Sequence, residues 1–128
     1  NNYLVVGTGN KVEDFGVGFY TKYGDGGVDI SPIANLMKSE VYELANNLSI
    51  NREIIDAPPT DGLWDDGRTD EDQLGISYDD LEWAMRFEEK NQSKDYLNDS
   101  QKKKLEIYKK HRLKNIHKMK SIPVFKKH

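Results

Sequence analysis

Thr8, Glu13, Lys38 and the stretch TKYGDGGVD (Thr21–Asp29) are the parts of this sequence whose residue types and spacing could do chemistry. Thr8 stands one residue past the apolar run Tyr3-Leu-Val-Val-Gly7, which predicts a strand buried on both faces, as in parallel sheets. Ligands of open α/β sheets bind outside the carboxyl ends of such strands. The Thr8 hydroxyl therefore either holds a nucleotide or caps the next helix. Glu13, five residues on, could hold Mg²⁺, which takes one or two carboxylates plus substrate phosphate oxygens; the alternative is a solvated first-turn glutamate favoured by the helix dipole. Lys38 falls in the first turn of a predicted helix, where the dipole disfavours a cation. It becomes sensible there if an anion such as phosphate also sits at that end, and is otherwise a surface lysine. Gly24, Gly26 and Gly27 allow positive φ and close approach by a ligand, with Lys22 as a donor and Asp29 as an acceptor beside them; the alternative is an ordinary tight connection. His117-Lys118 is either a site dipeptide or plain surface, and His111 and His128 carry less signal.

The elements that must position these groups are short. Asn10–Phe19 reads as weakly helical, and Val28–Ile30 as a second extended piece. Asn35 is expected to cap a helix to about Leu48, with Val41, Leu44, Ala45 and Leu48 forming a buried stripe. The segment from Asp56 to Gly75, with Pro58-Pro59, reads as a loop. Ser77 with Asp80 makes a capping box, and Ile76 with Leu81 a hydrophobic staple, starting a helix to about Lys90. Asn98 with Gln101 starts a last helix to about Lys114, and the end around Pro123 is extended. Trp64 and Trp83 read as packing residues. One strong strand cannot make a parallel sheet, whose neighbours need crossovers. The chain opens on that strand without a methionine, so the rest of the sheet is expected upstream.

Three motif matches fail. Gly7-Thr8-Gly9 lacks the third glycine of a dinucleotide fingerprint, since Val12 stands there. Asp25 and Asp29 lack the closing glutamate of a calcium loop. Asp14-Phe15-Gly16 copies a kinase triplet without its catalytic loop.

The 128 residues allow one domain, and 32% charged residues against 36% hydrophobic ones make it a water-compatible one. No stretch approaches the roughly 18 apolar residues of a membrane span, and no signal-peptide pattern is present. Without cysteine there are no disulfides and no thiolate chemistry, which fits a cytoplasmic setting. Charge is polarised: residues 51–100 carry 15 acidic and 5 basic side chains, residues 101–128 carry 11 basic and 1 acidic. The basic end could meet nucleic acid or the acidic middle of its own chain or a partner. No aromatic–basic interleaving accompanies the lysines, so nucleic acid is not expected as a partner.

Together these stretches resemble the carboxyl-terminal half of the NAD synthetase family, of the ammonia-dependent type. The resemblance is carried by VVGTGNKVE (Val5–Glu13), FYTKYGDGGVDISPIANLMKSEVYELA (Phe19–Ala45), APPTDGLW (Ala57–Trp64), GRTDEDQLGISYDDLE (Gly67–Glu82) and IHKMKSIPVF (Ile116–Phe125). It implies an α/β fold, part of a doubly wound parallel sheet of the adenine nucleotide alpha hydrolase-like, ATP pyrophosphatase type, mostly helices and loops in residues 1–128. It implies a ligase that amidates deamido-NAD with ammonia, consuming ATP through an acyl-adenylate, and acts as a cytoplasmic homodimer. By motif position Thr8, Lys38 and Thr60 would contact ATP, and Glu13 would bind Mg²⁺. Lys22, Asp29, His117 and Lys118 would contact deamido-NAD. The family's Ser-Gly-Gly-x-Asp-Ser phosphate loop is absent, so these residues are expected to be the carboxyl-terminal part of a single synthetase domain, inactive alone. The tail His-Lys-Met-Lys-Ser-Ile-Pro departs from the family's usual His-Lys-Arg. The competing readings are another ATP pyrophosphatase-type synthetase and a non-catalytic module binding nucleotide or protein. The segment from Asp56 to Gly75 is a candidate lid.

Overall fold

The computed structural model describes residues 2–127; His128 lies outside them. An extended start leads through a π-helical segment, Val12–Val17, and the glycine-rich turns to Ile30. Five α-helices follow: α1 (Lys38–Asn47), α2 (Arg52–Ile55), α3 (Asp70–Leu74), α4 (Tyr78–Glu89) and α5 (Asp99–Met119), with a 3₁₀ turn at Lys94–Tyr96.

The core sits where α4, α5 and the π-helical segment pack against one another. Val12, Val17, Leu81, Ala84, Met85, Phe87, Leu105 and Tyr108 fill it. The capping signals account for the helix starts. The Ser77 hydroxyl accepts the Asp80 N–H at 3.2 Å, and both staple residues, Ile76 and Leu81, are buried. The return half of that box is absent, because the Asp80 carboxylate turns to Lys104 at 2.7 Å. At α5 the box is complete: Asn98 accepts the Gln101 N–H, and Gln101 accepts the Asn98 N–H. Lys104–Asp80 and Lys109–Glu88 join α5 to α4, so part of the basic end pairs with the chain's own acidic middle. Trp83 packs at the core edge beside Phe87.

Several sequence expectations are corrected. The run Tyr3–Val6 is exposed, not buried on both faces. It makes one parallel pairing, Val6 with Ile30, in which Gly7 donates to the Ile30 carbonyl at 2.7 Å and Asp29 to that of Val5 at 2.9 Å. The intervening π-helical segment and glycine turns supply the crossover that a parallel pairing needs. Helix α1 is capped at Met37, not Asn35, where the Glu40 carboxylate accepts the Met37 N–H at 2.7 Å. Its apolar stripe is only half covered: Leu44 and Leu48 are exposed. The expected loop contains α3, whose Thr69–Asp72 capping box is complete. Helix α5 runs to Met119, past Lys114, because Asn115 and Lys118 bond to the packed π-helical segment and turns. Trp64 is half exposed and lies against the Arg68 guanidinium instead of packing.

Candidate functional site

Asn10 and Glu13 form a reciprocal box at the start of the π-helical segment. The Asn10 carboxamide oxygen accepts the N–H groups of Val12 and Glu13 at 3.0 and 3.1 Å, while Glu13 Oε2 accepts the Asn10 N–H at 3.4 Å. Asn10 is 2% exposed, so the segment's first turn is anchored in the core. Its other end closes with Gly18 at φ 65°, where a Cβ would meet that of Asn115 at 2.5 Å. π-Helical turns are rare and occur frequently at functional sites.

From this anchored turn the Glu13 carboxylate reaches Lys38. Nζ donates to Glu13 Oε1 at 2.9 Å, with both side chains less than a fifth exposed. The Tyr78 hydroxyl donates to the same oxygen at 2.8 Å, and the Tyr78 ring lies 4.7 Å from the Lys38 ammonium. On its far side the hydroxyl meets Asp70 Oδ2 at 3.1 Å. Asp70 Oδ1 is buried without a partner among the described residues. Burial would raise the Glu13 pKa, but the Lys38 charge and the bonds from Lys38, Tyr78 and Asn10 outweigh it and hold the group below its ordinary value. Burial and the nearby Glu13 charge push the Tyr78 phenol up, and burial pushes Asp70 up.

Lys38 thus stands at a helix start beside an anion, as its position required, but the anion is Glu13 of the same chain. A second carboxylate, Glu82 of α4, takes the Ser39 N–H at 2.8 Å and the Ser39 hydroxyl at 2.7 Å. Such capping of an N-terminus by a buried acid is favourable. Glu13 can serve a divalent cation: Oε2 carries a single long bond, and one carboxylate completed by phosphate oxygens suits Mg²⁺.

A second group assembles around α5. Arg112 donates to the Phe15 and Gly16 carbonyls, Asn115 to Val17, and Lys118 to Gly18 and Tyr20. Three side chains at successive i, i+3 positions thus satisfy the open carbonyls at the end of the π-helical segment. Lys22 in turn donates to the His117 and Lys120 carbonyls at 2.8 and 3.0 Å, closing the end of α5, and the Tyr20 hydroxyl donates to the Lys118 carbonyl. Lys22, His117 and Lys118 line one cavity of about 470 Å³ with Tyr20, Thr21, Tyr23, Ile122 and Pro123. Burial depresses the Lys118 pKa.

The glycines of the loop do not adopt the left-handed conformation expected of them. Gly26 instead lets the backbone lie on the Tyr20 ring, which a Cβ would approach to 2.6 Å. Asp29 is not with Lys22 and His117: its carboxylate accepts the Val5 N–H at 2.8 Å and secures the parallel pairing. Thr8 is exposed just beyond that pairing. The Thr60 hydroxyl bridges the Gly62 N–H and the Arg68 carbonyl, closing the exposed loop, and its neighbour Pro59 accepts the Asp70 N–H at 3.0 Å. Sequence reasoning passed over Asn10, Asp70, Tyr78, Arg112 and Asn115. The Asn10-x-x-Glu13 capping pattern was legible; the others emerge only when distant segments meet. His111 Nε2 lies 2.9 Å from the Leu74 carbonyl, joining α5 to α3.

A π-helical turn and a helix start thus converge on a partly buried lysine–carboxylate pair, the candidate site of this chain. A family profile described as NAD synthase matches residues 1–124, and the chain belongs to that family. It is 50% identical over 94 residues to the NH(3)-dependent NAD(+) synthetase of Archaeoglobus fulgidus, covering 73% of this chain and 37% of that relative. It is 56% identical over 77 residues to the synthetase of the same name from Alkaliphilus oremlandii, covering 60% and 30%. Among solved structures, the NMN synthetase from Francisella tularensis aligns with a TM-score of 0.78 at 36% identity, over 96% of this chain and 47% of that one. The NH3-dependent NAD synthetase from Campylobacter jejuni, in complex with the nitrate ion, aligns at 0.69 and 29% identity, over 98% and 46%. The chain spans about a third of the length of the curated relatives it matches. No helix among the described residues is long and apolar enough to cross a membrane.

Proposed function

We propose that residues 1–128 form the carboxyl-terminal part of a single synthetase domain that amidates deamido-NAD to NAD in the cytoplasm, as a homodimer. The exposed run Tyr3–Val6 and the half-covered stripe of α1 would seat the remainder of the domain and its parallel sheet. In the reaction the nicotinate carboxylate attacks the α-phosphate of ATP and expels pyrophosphate. Ammonia then displaces AMP from the acyl-adenylate and, after losing a proton, leaves the amide.

The observation that carries this reading is the 2.9 Å contact between Lys38 and Glu13. The pair sits where a phosphate and its Mg²⁺ would exchange partners with it. Lys38 would turn from Glu13 to phosphate oxygens, and Glu13 would turn to the cation. Mg²⁺, when bound, neutralises charge developing on the phosphates, while Lys38 holds the chain of phosphates in line. Thr8 and Thr60 would complete the ATP contacts from the strand end and the exposed loop. Lys22, His117 and Lys118 would meet deamido-NAD at their shared cavity, with Asp29 reaching it from the strand edge. The loop of residues 57–69, exposed and tipped by Leu63 and Trp64, would close over the acyl-adenylate and exclude water.

The test is turnover by the full-length protein with ATP, Mg²⁺, deamido-NAD and ammonium against glutamine. The Francisella neighbour is an NMN synthetase, so nicotinate mononucleotide is assayed beside deamido-NAD. Preference for the mononucleotide would move the proposal to that acceptor, and failure to turn over either would overturn it.

A further inference from the structure

We propose that Tyr78 is a positioning residue for the Glu13–Lys38 pair, aiming the carboxylate and the ammonium through two different parts of one side chain. The inference rests on the ATP–Mg²⁺ reading of that pair. Tyr78 is the first residue of α4 and is 6% exposed. Its hydroxyl donates to Glu13 Oε1, the oxygen that Lys38 also uses, and its ring face carries the Lys38 ammonium at 4.7 Å. Glu13 and Lys38 come from elements 25 positions apart. A third element, α4, fixes their relative placement.

The surroundings of the hydroxyl argue that its orientation is used. A phenol has one proton and donates one bond. Here it lies between two carboxyl groups, with Glu13 at 2.8 Å and Asp70 at 3.1 Å. Asp70 is 7% exposed, and Tyr78 is the hydrogen-bond partner found for its carboxyl group, Oδ1 having none among the described residues. Burying a carboxyl for one bond is costly, and an apolar residue at that position would be cheaper. What Asp70 does provide is a stop behind the phenol. In its protonated form, which burial favours, it donates to the phenol oxygen and leaves the phenol's one proton to Glu13, while the Asp70 N–H bonds to the Pro59 carbonyl at the base of the exposed loop.

When phosphate and cation replace the internal pair, the hydroxyl stays on Glu13 and the ring stays beside Lys38. The two groups are thereby kept from following their new partners out of register. Removing the hydroxyl alone should therefore affect cation use, and removing the ring as well should affect nucleotide use.

The experiment uses the full-length protein and its Tyr78→Phe, Tyr78→Leu, Asp70→Asn, Glu13→Gln and Lys38→Met variants. It reads the KM for Mg²⁺, ATP and deamido-NAD, and measures binding of a non-hydrolysable ATP analogue by calorimetry with and without Mg²⁺. Tyr78→Phe should raise the Mg²⁺ requirement about tenfold, the size of one lost hydrogen bond to a charged group, and leave the KM for deamido-NAD unchanged. It should weaken analogue binding with Mg²⁺ but not without it. Tyr78→Leu should weaken both. Asp70→Asn, which can still bond to the phenol oxygen, should stay within about threefold of the parent on each measure. If Tyr78→Phe folds and leaves Mg²⁺-dependent binding unchanged while Glu13→Gln and Lys38→Met impair it, the positioning role is wrong and the ATP–Mg²⁺ reading stands. If Glu13→Gln and Lys38→Met change neither cation nor analogue binding, the reading beneath it falls, and this inference with it.

Discussion

Replacing Lys38 by methionine keeps the apolar stem against the Tyr78 ring and removes the ammonium that faces Glu13. The consequence can be sized from the geometry. Stripping one partner from a buried ion pair costs about 3–5 kcal/mol, because the other charge stays buried. The Lys38 and Glu13 side chains are 18% and 16% exposed, and Glu13 keeps its bonds from Tyr78 and Asn10. Those two facts bring the expectation down to about 2 kcal/mol at pH 7.

The pH dependence gives the prediction its edge. Folded Glu13 titrates below its ordinary value of 4.5, so its stabilisation is present above 4.5 and lost as pH falls through the lower folded value. Without Lys38 only the Tyr78 and Asn10 bonds oppose burial, so the Glu13 pKa moves up and protonation costs the variant less stability than it costs the parent. The stability difference between Lys38→Met and the parent should therefore be full at pH 7 and narrow as the pH falls below 4.5. Urea unfolding of the full-length protein in chelator, at both pH values, measures it. A double-mutant cycle with Glu13→Gln should return a coupling of about 2 kcal/mol. A coupling within about 0.5 kcal/mol of zero, the range of independent sites, or a difference that does not change with pH, would refute the pairing argument.

Asp14 titrates at about 6 in the folded protein, raised from 3.8 by burial and by the Glu13 and Asp25 charges. Its contribution is fully present below 3.8 and lost as pH rises through about 6, so Asp14→Asn should gain in melting temperature over the parent at pH 7.5 but not at pH 4, in chelator. Asn10→Ala removes an acceptor that serves two backbone N–H groups, one buried and one partly buried, and should cost about 1–2 kcal/mol in urea unfolding. Asp29→Asn can still accept the Val5 N–H, whereas Asp29→Ala cannot; if Asp29 contacts deamido-NAD, both variants raise its KM, and recovery in Asp29→Asn alone would assign the residue to the strand pairing only. ATP with deamido-NAD should slow proteolysis within residues 57–69, and unchanged cleavage would count against a closing lid.

The local signals carried the helix starts well. Ser77, Asn98 and the staple at Ile76 and Leu81 work through neighbours three to five positions away, and so they could be read along the chain. The family resemblance, too, lay in contiguous runs such as TKYGDGGVDISP. What failed were inferences about which faces are covered. Tyr3–Val6, Leu44 and Leu48 have the composition of buried residues, yet all of them are left exposed. The glycine loop was legible as special but for another reason than the one given, since it is the Tyr20 ring, six residues from Gly26, that requires a missing Cβ.

The sequence by itself determined the family, the caps of α4 and α5 and the list of polar residues worth watching, because each depends on residues close together in the chain. Only the tertiary structure decided that Lys38 meets Glu13, that Tyr78 backs them both, and that Lys22 and Lys118 close each other's helix and turn. Those contacts join segments 25 to 100 residues apart. Their geometry is set by the packing of α4 and α5 on the π-helical segment, which no local pattern encodes.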